Sequence, residues 1–148
     1  LVGHFWVEIN TAERNATSFC IALLDIDFFK EVNDRYGHDG GDQVLQAFGQ
    51  LLSSQIRATD FAGRYGGEEF LLVLCDTQLA QAGVLLERIR EYSESLPWSQ
   101  MIHKNLQVTC TLGATQYQQG ETAEALISRA DVAMYQGKAA GRNRVVFA

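Results

Sequence analysis

Residues 64–70, RYGGEEF, set two glycines directly before two adjacent carboxylates, Glu68 and Glu69, at the head of an apolar run. Successive strand side chains point to opposite faces, so one carboxylate can enter a cleft while its neighbour meets a partner or solvent. Gly66 and Gly67 carry no Cβ, and a bulky anionic group can approach the backbone there. An anion beside a carboxylate is repelled unless a cation bridges the two. Mg2+ forms such a bridge, using one or two carboxylates plus phosphate oxygens. Taken alone, the stretch is better read as a turn with two solvated glutamates.

Asp25 and Asp27 close the apolar stretch SFCIALLDID, and a two-residue period puts them on one face. Strand ends are where open sheets place their sites. Asp25 with Glu68 supplies two hard oxygen ligands, whereas Asp27 is as well explained as the N-cap of a helix opening FFKEVN. In GKAAGRNR, Lys138 and Arg142 are four apart and are expected on one face at a helix end. Cations there complement the macrodipole. They also suit the terminal oxygens of a triphosphate. Two acids and two cations are the parts of Mg2+-assisted phosphoryl chemistry. The base, the sugar and the product are not legible from these residues.

Hydrophobic periodicity supplies the elements that must hold these groups. HFWVEINTAERN reads as a helix cut short at its front. SFCIALLDID is apolar on both alternating faces, as a central strand covered on both sides would be. FFKEVNDRYG is expected to be a short helix stopping at Gly37. A second helix carries Val44, Leu45, Phe48, Leu51, Leu52 and Ile56 as one buried stripe. FAGRY, the glycine pair and EEFLLVLC read as strand, two-residue turn and strand. A further helix buries Ala82, Leu85, Leu86, Ile89 and Leu96 and ends at Pro97. LQVTCTLGA alternates, with Val108, Cys110 and Leu112 inward and Gln107, Thr109 and Thr111 outward. The helix TAEALISRADVAMYQGKAAG and the strand RVVFA close the chain. This order predicts an α+β fold with helices packed on a mixed sheet, of which a ferredoxin-like core is one form.

The chain has 148 residues, 47% hydrophobic and 20% charged, with a single proline, which fits one domain with one well-filled core. Its apolar runs are far shorter than the roughly 18 residues of a membrane span, and no export leader opens it. A net charge of −6 argues against a nucleic-acid polymer as partner, though not against one small nucleotide whose charge a cation neutralises. Cys20, Cys75 and Cys110 are odd in number and lie in apolar or alternating stretches. Three buried strand thiols in a reducing cytoplasm are expected, rather than disulfides or a zinc site.

GGEEF resembles the signature of the GGDEF family of diguanylate cyclases. LLDIDFFKEVNDRYGHDGGDQVL resembles the family's strand, helix and GHxxGDxxL segment, and RADVAMYQGKAAGRNRV its closing helix and Lys/Arg motif. Together the matches run from about Ser18 to the end. The resemblance implies a five-stranded sheet surrounded by helices, related to the palm of nucleotidyl cyclases. It implies condensation of two GTP into cyclic di-GMP with release of two pyrophosphates. By position, Asp25 and Glu68, with the Ile26 carbonyl, resemble the ligands of Mg2+ (or Mn2+). Glu68 also resembles the group that helps deprotonate the attacking 3′-hydroxyl, with Glu69 beside it. Asn33 and Asp42 resemble guanine readers, since a carboxylate suits the N1–H and N2–H2 donors and an amide both donates and accepts. Phe28, Phe29, Lys30, Lys138 and Arg142 correspond to positions around the triphosphate, and Gly66 and Gly67 to a turn against which the α-phosphate rests.

RATD places Arg57 and Asp60 shortly before the glycine pair, where the family's inhibitory product site is written RxxD. Arg88 sits where family members offer a second arginine. The product is two-fold symmetric, so the resemblance implies an antiparallel homodimer of single domains (residues 1–148), paired by an upstream segment of a larger bacterial cytoplasmic protein. The opening pattern resembling DxLTGLxNRR is absent and LVGHF stands where its end would fall; either the chain begins late or that turn has diverged. A rival of another class is a non-catalytic receptor for cyclic di-GMP, or a sensor that binds GTP without turnover. Such degenerate members usually lose the hairpin carboxylates, and here Asp25, Glu68, Lys138 and Arg142 are all present.

Overall fold

The computed structural model describes residues 7, 9–11 and 17–148. Residues 7 and 9–11 are helical; the rest of the predicted opening helix and LVGHF lie outside the described residues. The strands are β1 (Cys20–Ile26), β2 (Phe61–Arg64), β3 (Glu69–Leu74), β4 (Cys110–Gln116) and β5 (Arg144–Phe147). The helices are α1 (Phe29–Gln55), α2 (Leu79–Ser95), α3 (Trp98–Met101) and α4 (Ala123–Ala139).

The strands form one sheet in the order β2-β3-β1-β4-β5. Every pairing is antiparallel except the parallel β4–β5 pair. The mixed five-stranded sheet surrounded by helices is therefore borne out. Each of the seven residues of β1 is buried, the consequence of a central strand covered on both faces. Cys20, Ala22, Leu24 and Ile26 face a core built with α1 and α2, including Val44, Phe48, Leu86 and Ile89. Ile21 and Leu23 face a second core with Leu126, Ala130 and Met134 of α4. Among the described residues no helix is long and apolar enough to cross a membrane.

The helix expected to stop at Gly37 does stop there: at φ 74° and ψ 175° the residue is not helical, and α1 consists of two helices joined across it. Other local details differ from the sequence reading. Pro97 does follow the end of α2, and then opens the short α3. Trp98 of α3 is buried, donating from Nε1 to the Ser93 carbonyl at 2.8 Å and stacking on Phe48. β4 begins only at Cys110, and Thr111 is fully buried rather than outward. Its face is covered because α4 lies backbone-to-backbone on the strand. A Cβ on Gly113 would stand 2.2 Å from the Ala130 carbonyl oxygen, and one on Gly137 would stand 2.7 Å from Thr111 Cγ2. Cys20, Cys75 and Cys110 form no disulfide with one another. Cys20 and Cys110 are buried strand thiols, pushed up to about 12 by burial, whereas Cys75 is half-buried in the turn after β3.

Candidate active site

Asp25, at the end of β1 and 4% exposed, lies directly across from Glu69 on β3 and Thr111 on β4. Glu68 sits one residue earlier, in the bend. Its carbonyl accepts the Ile26 N–H at 3.2 Å, which pins the hairpin tip to the end of β1. Burial, and then repulsion from Asp25, raises both Glu68 and Glu69 above the usual carboxylate range. Asp25 is raised as well, because burial outweighs the hydrogen bond and charge of Lys138. Like charges gathered at a partly buried point call for a cation. Lys138 is that cation here, its Nζ donating to Asp25 Oδ2. Burial alone would lower the Lys138 ammonium, but the Asp25 hydrogen bond and the charges of Asp25 and Glu69 hold it above its ordinary value.

The close seat of α4 on β4 brings Lys138 to Asp25. Arg142 arrives by a different route from the one its spacing suggests. The helix ends at Ala139, and Gly141, Arg142 and Asn143 follow with φ of 122°, 65° and 48°. Lys138 and Arg142 therefore do not share a helix face, yet both line one cavity of about 260 Å³ with Asp25, Ile26 and Glu68. Phe28, Phe29 and Lys30 line its other side. Phe29 is also core, whereas Phe28 is 55% exposed and lies under the Arg142 guanidinium, 4.6 Å from ring centroid to Cζ, a cation–π contact. Phe28 itself is left-handed (φ 56°) at the N-cap of α1, so Asp27 is not the cap. Strained residues of this kind persist where surrounding structure fixes them.

The turn is longer than two residues. Arg64 pairs with Phe70, Tyr65 and Gly66 both donate to the Glu69 carbonyl, and an Arg64 guanidinium nitrogen donates to the Gly67 carbonyl. Positive φ among glycines occurs only at Gly37, Gly120 and Gly141 of the described residues, so the backbone does not demand glycine at 66 or 67. Packing does not demand it either. A Cβ at Gly67 would meet nothing within 4 Å, and one at Gly66 would make ordinary contact with Glu69. What the pair does leave is bare backbone beside the acids, open to a ligand.

Asn33 and Asp42 do not line this cavity. They lie on either side of the Gly37 break, and the Asn33 side chain fills the place of a Cβ on Gly41, 1.8 Å from Oδ1. The amide thus lies beside the residue preceding the exposed Asp42. Among the described residues, no group of three His, Cys, Asp or Glu is arranged to hold a metal. Asp25 and Glu68 instead offer the few hard oxygens that Mg2+ takes when phosphates complete its shell. The donor set fits a cation that arrives with a nucleotide.

Arg57, Asp60 and Arg88 share a second cavity of about 250 Å³. Asp60, 6% exposed, accepts from the Arg57 backbone N–H and Nε through Oδ2 at 3.0 and 3.1 Å. Its Oδ1 accepts from Arg57 Nη2 and the Cys75 N–H, each at 3.0 Å. The same Nη2 reaches Thr77 Oγ1 at 2.9 Å and the Cys75 carbonyl. The carboxylate is saturated and fixes the guanidinium, whose side chain is 57% exposed. Arg88 Nε donates to Gln55 Oε1 at 3.0 Å from the opposite wall.

Two residues had no part in the predicted site. Asp27 was legible only as a possible cap, and Asn143 carried no signal. Asn143 ties the turn after β1 to α2: its N–H donates to Asp27 Oδ2, its amide oxygen accepts from Arg90, and its amide nitrogen donates to Glu94. No sequence spacing announces partners that distant.

A sheet with acids at the end of its central strand, a glycine-tipped hairpin beside them and cations brought in by the last helix defines a nucleotidyl-cyclase palm domain. The chain belongs to the diguanylate cyclase GGDEF domain family, whose model matches residues 3–144. It is 48% identical to the response regulator PleD of Caulobacter vibrioides over 127 residues, 84% of this chain and 28% of that protein. It is 39% identical to diguanylate cyclase A of Treponema denticola over 148 residues, 98% of this chain and 39% of the relative. The chain thus spans well under half the length of these relatives. The active GGEEF domain of a diguanylate cyclase from Vibrio cholerae superposes with a TM-score of 0.91 at 34% identity, covering 98% of this chain and 92% of that one. The coiled coil and GGDEF domain of DgcB from Caulobacter crescentus, in complex with c-di-GMP, gives 0.92 at 32% identity, covering 99% and 78%.

Proposed function

We propose that this chain is a single catalytic domain that condenses two GTP molecules into cyclic di-GMP and two pyrophosphates as an antiparallel homodimer. The observation that carries the reading is the gathering of Asp25, Glu68, Lys138 and Arg142 around one cavity, beside glycines that neither backbone nor packing requires.

Asn33 and Asp42 read the guanine edge of each GTP. Lys138 and Arg142 hold the terminal phosphates, with Phe28, Phe29 and Lys30 shaping the wall, and the α-phosphate rests on Gly66 and Gly67. Glu68, at the hairpin tip beside Asp25, accepts the proton of the 3′-hydroxyl presented by the partner's GTP. That oxygen bonds to the α-phosphorus as the bond to the β-phosphate oxygen breaks and pyrophosphate leaves. A second, symmetry-related attack closes the ring. Glu69, on the strand beside Asp25, adds negative field that favours cation entry. Mg2+ or Mn2+ held by Asp25, Glu68 and the Ile26 carbonyl supplies neutralisation of charge on the transferring phosphorus. Pairing supplies proximity, so rate per domain falls steeply on dilution.

The Arg57 fork, held by Asp60 and faced by Arg88, binds the phosphates and guanine of the product as an inhibitory site. Thiols that form no disulfide with one another suit a reducing bacterial cytoplasm. Concentrated protein incubated with GTP and Mg2+, then assayed for pyrophosphate and cyclic dinucleotide, tests the reading. Release of two pyrophosphates per cyclic dinucleotide formed supports it. Tight GTP or cyclic di-GMP binding without pyrophosphate would replace it with a receptor or sensor.

A further inference from the structure

Asp27 is as buried as Asp25, at 4% exposure, but it has different partners. Its Oδ1 accepts from Thr111 Oγ1 at 2.7 Å, and its Oδ2 accepts from Thr109 Oγ1 at 2.7 Å and the Asn143 N–H at 3.0 Å. Thr111 Oγ1 also accepts the Asn143 N–H at 3.1 Å. We propose that Asp27 is a positioning residue whose carboxylate anchors the left-handed segment Gly141–Asn143 and so sets Arg142 over the phosphate end of the cavity. The inference rests on the nucleotide site proposed above.

Three consecutive residues with positive φ are not a conformation that L-residues keep unaided. Arg142 and Asn143, at φ 65° and 48°, are the non-glycine members. Each has a conformation unfavourable for an L-residue unless its surroundings hold it. The segment is held on three sides. Asp27 and Thr111 take the Asn143 N–H from behind. Arg90 and Glu94 of α2 take the Asn143 side chain. Phe28 supports the Arg142 guanidinium in front. Without the Asp27 acceptor, the Asn143 N–H loses a charge-assisted bond and the segment can relax. Arg142 then no longer waits at the phosphates, while Asn33 and Asp42, on α1, are untouched.

The test is calorimetric binding of two probes to the full chain: the α,β-methylene analogue of GTP with Mg2+, and guanosine. Asp27→Asn keeps the shape but replaces one acceptor oxygen with a donor. The expected result is about tenfold weaker binding of the analogue, with guanosine binding unchanged. Combined with Arg142→Ala, Asp27→Asn should cause no further loss, because it acts through that arginine. Equal weakening of both ligands, or losses that add, overturns the proposal. Thr111→Val removes one anchoring hydroxyl at nearly constant volume and should show the same selective loss at about threefold; no selective loss in it also overturns the proposal. A wild-type chain that binds the analogue no better than guanosine rejects the nucleotide site itself. Wild-type preference with an unaffected Asp27→Asn rejects only the anchor.

Discussion

Lys138 Nζ donates to Asp25 Oδ2 across 113 residues of sequence, so the last helix of the chain supplies the counter-charge to the end of its first strand. The ammonium stands where a metal bridging Asp25 to a phosphate would bring positive charge. Removing it leaves Asp25, Glu68 and Glu69 facing one another. Lys138→Gln should therefore lower stability by about 1–2 kcal/mol at neutral pH without divalent metal. Added Mg2+ should raise its thermal midpoint more than it raises the wild type's. Equal shifts in the two proteins would show that lysine and metal do not share the acids.

Glu68→Gln should leave the fold intact and reduce pyrophosphate release by at least about a hundredfold, the usual scale of a lost general base. Circular dichroism establishes the first point and a steady-state assay the second. Turnover at the wild-type rate would remove Glu68 from the mechanism.

Arg57→Ala and Asp60→Ala should separate binding from architecture. Arg57 is largely exposed, so its loss should relieve inhibition by cyclic di-GMP without lowering the initial rate. Asp60 is buried and accepts from four donors. Its loss should relieve inhibition and also cost about 2–3 kcal/mol in denaturant unfolding. An inhibition curve unaltered by Arg57→Ala counts against the second cavity as the product site.

Gly113→Ala tests the seat of α4. Its Cβ would fall 2.2 Å from the Ala130 carbonyl and 2.3 Å from the Met134 nitrogen, so the helix must lift from the sheet. A loss of about 3 kcal/mol is expected. Weakened binding of the GTP analogue should accompany it, since Lys138 rides on that helix. Full affinity in a destabilised variant would uncouple the helix seat from the site.

The Glu121–Arg129 pair gives a pH signature away from the site. Arg129 contacts both Glu121 oxygens, at 2.7 and 2.8 Å. Burial alone would raise Glu121, but the hydrogen bonds from Arg129 and the Gln118 N–H, with the Arg129 charge, bring it below its ordinary 4.5. A carboxyl lowered in the folded state contributes stability above its ordinary value and loses it as pH falls through the folded value. Glu121→Gln should cost about 1–2 kcal/mol at pH 7, and the gap should narrow as pH falls below 4.5 and close once pH passes the lowered folded value. A gap independent of pH would exclude a charge effect.

Much of this molecule was legible in one dimension because its causes are local. The unbroken apolar run of β1 announced a strand buried on both faces, and the stripe of Val44, Phe48 and Leu52 announced the packed side of α1. Gly37 announced an interruption, although the two segments on either side of it continue as α1. The acids, the hairpin and the Lys/Arg pair were each visible as residue types at a spacing.

What tertiary structure decided is which of these groups meet, and by what support. Periodicity reports which face of an element is apolar, but not how closely two backbones approach. The contact at Gly113 buries Thr111, which its own strand pattern places outward, and delivers Lys138 to Asp25. Spacing put Lys138 and Arg142 on one helix face, yet they share a cavity only because the chain turns left-handed after Ala139 and is caught there. The partners that catch it, Asp27, Thr111, Arg90 and Glu94, come from the turn after β1, from β4 and from α2. A hydrogen bond acts over about 3 Å, so it joins residues that are near in space whatever their separation in sequence. The inventory of chemistry was therefore written in the sequence, and its assembly into one site was the work of packing.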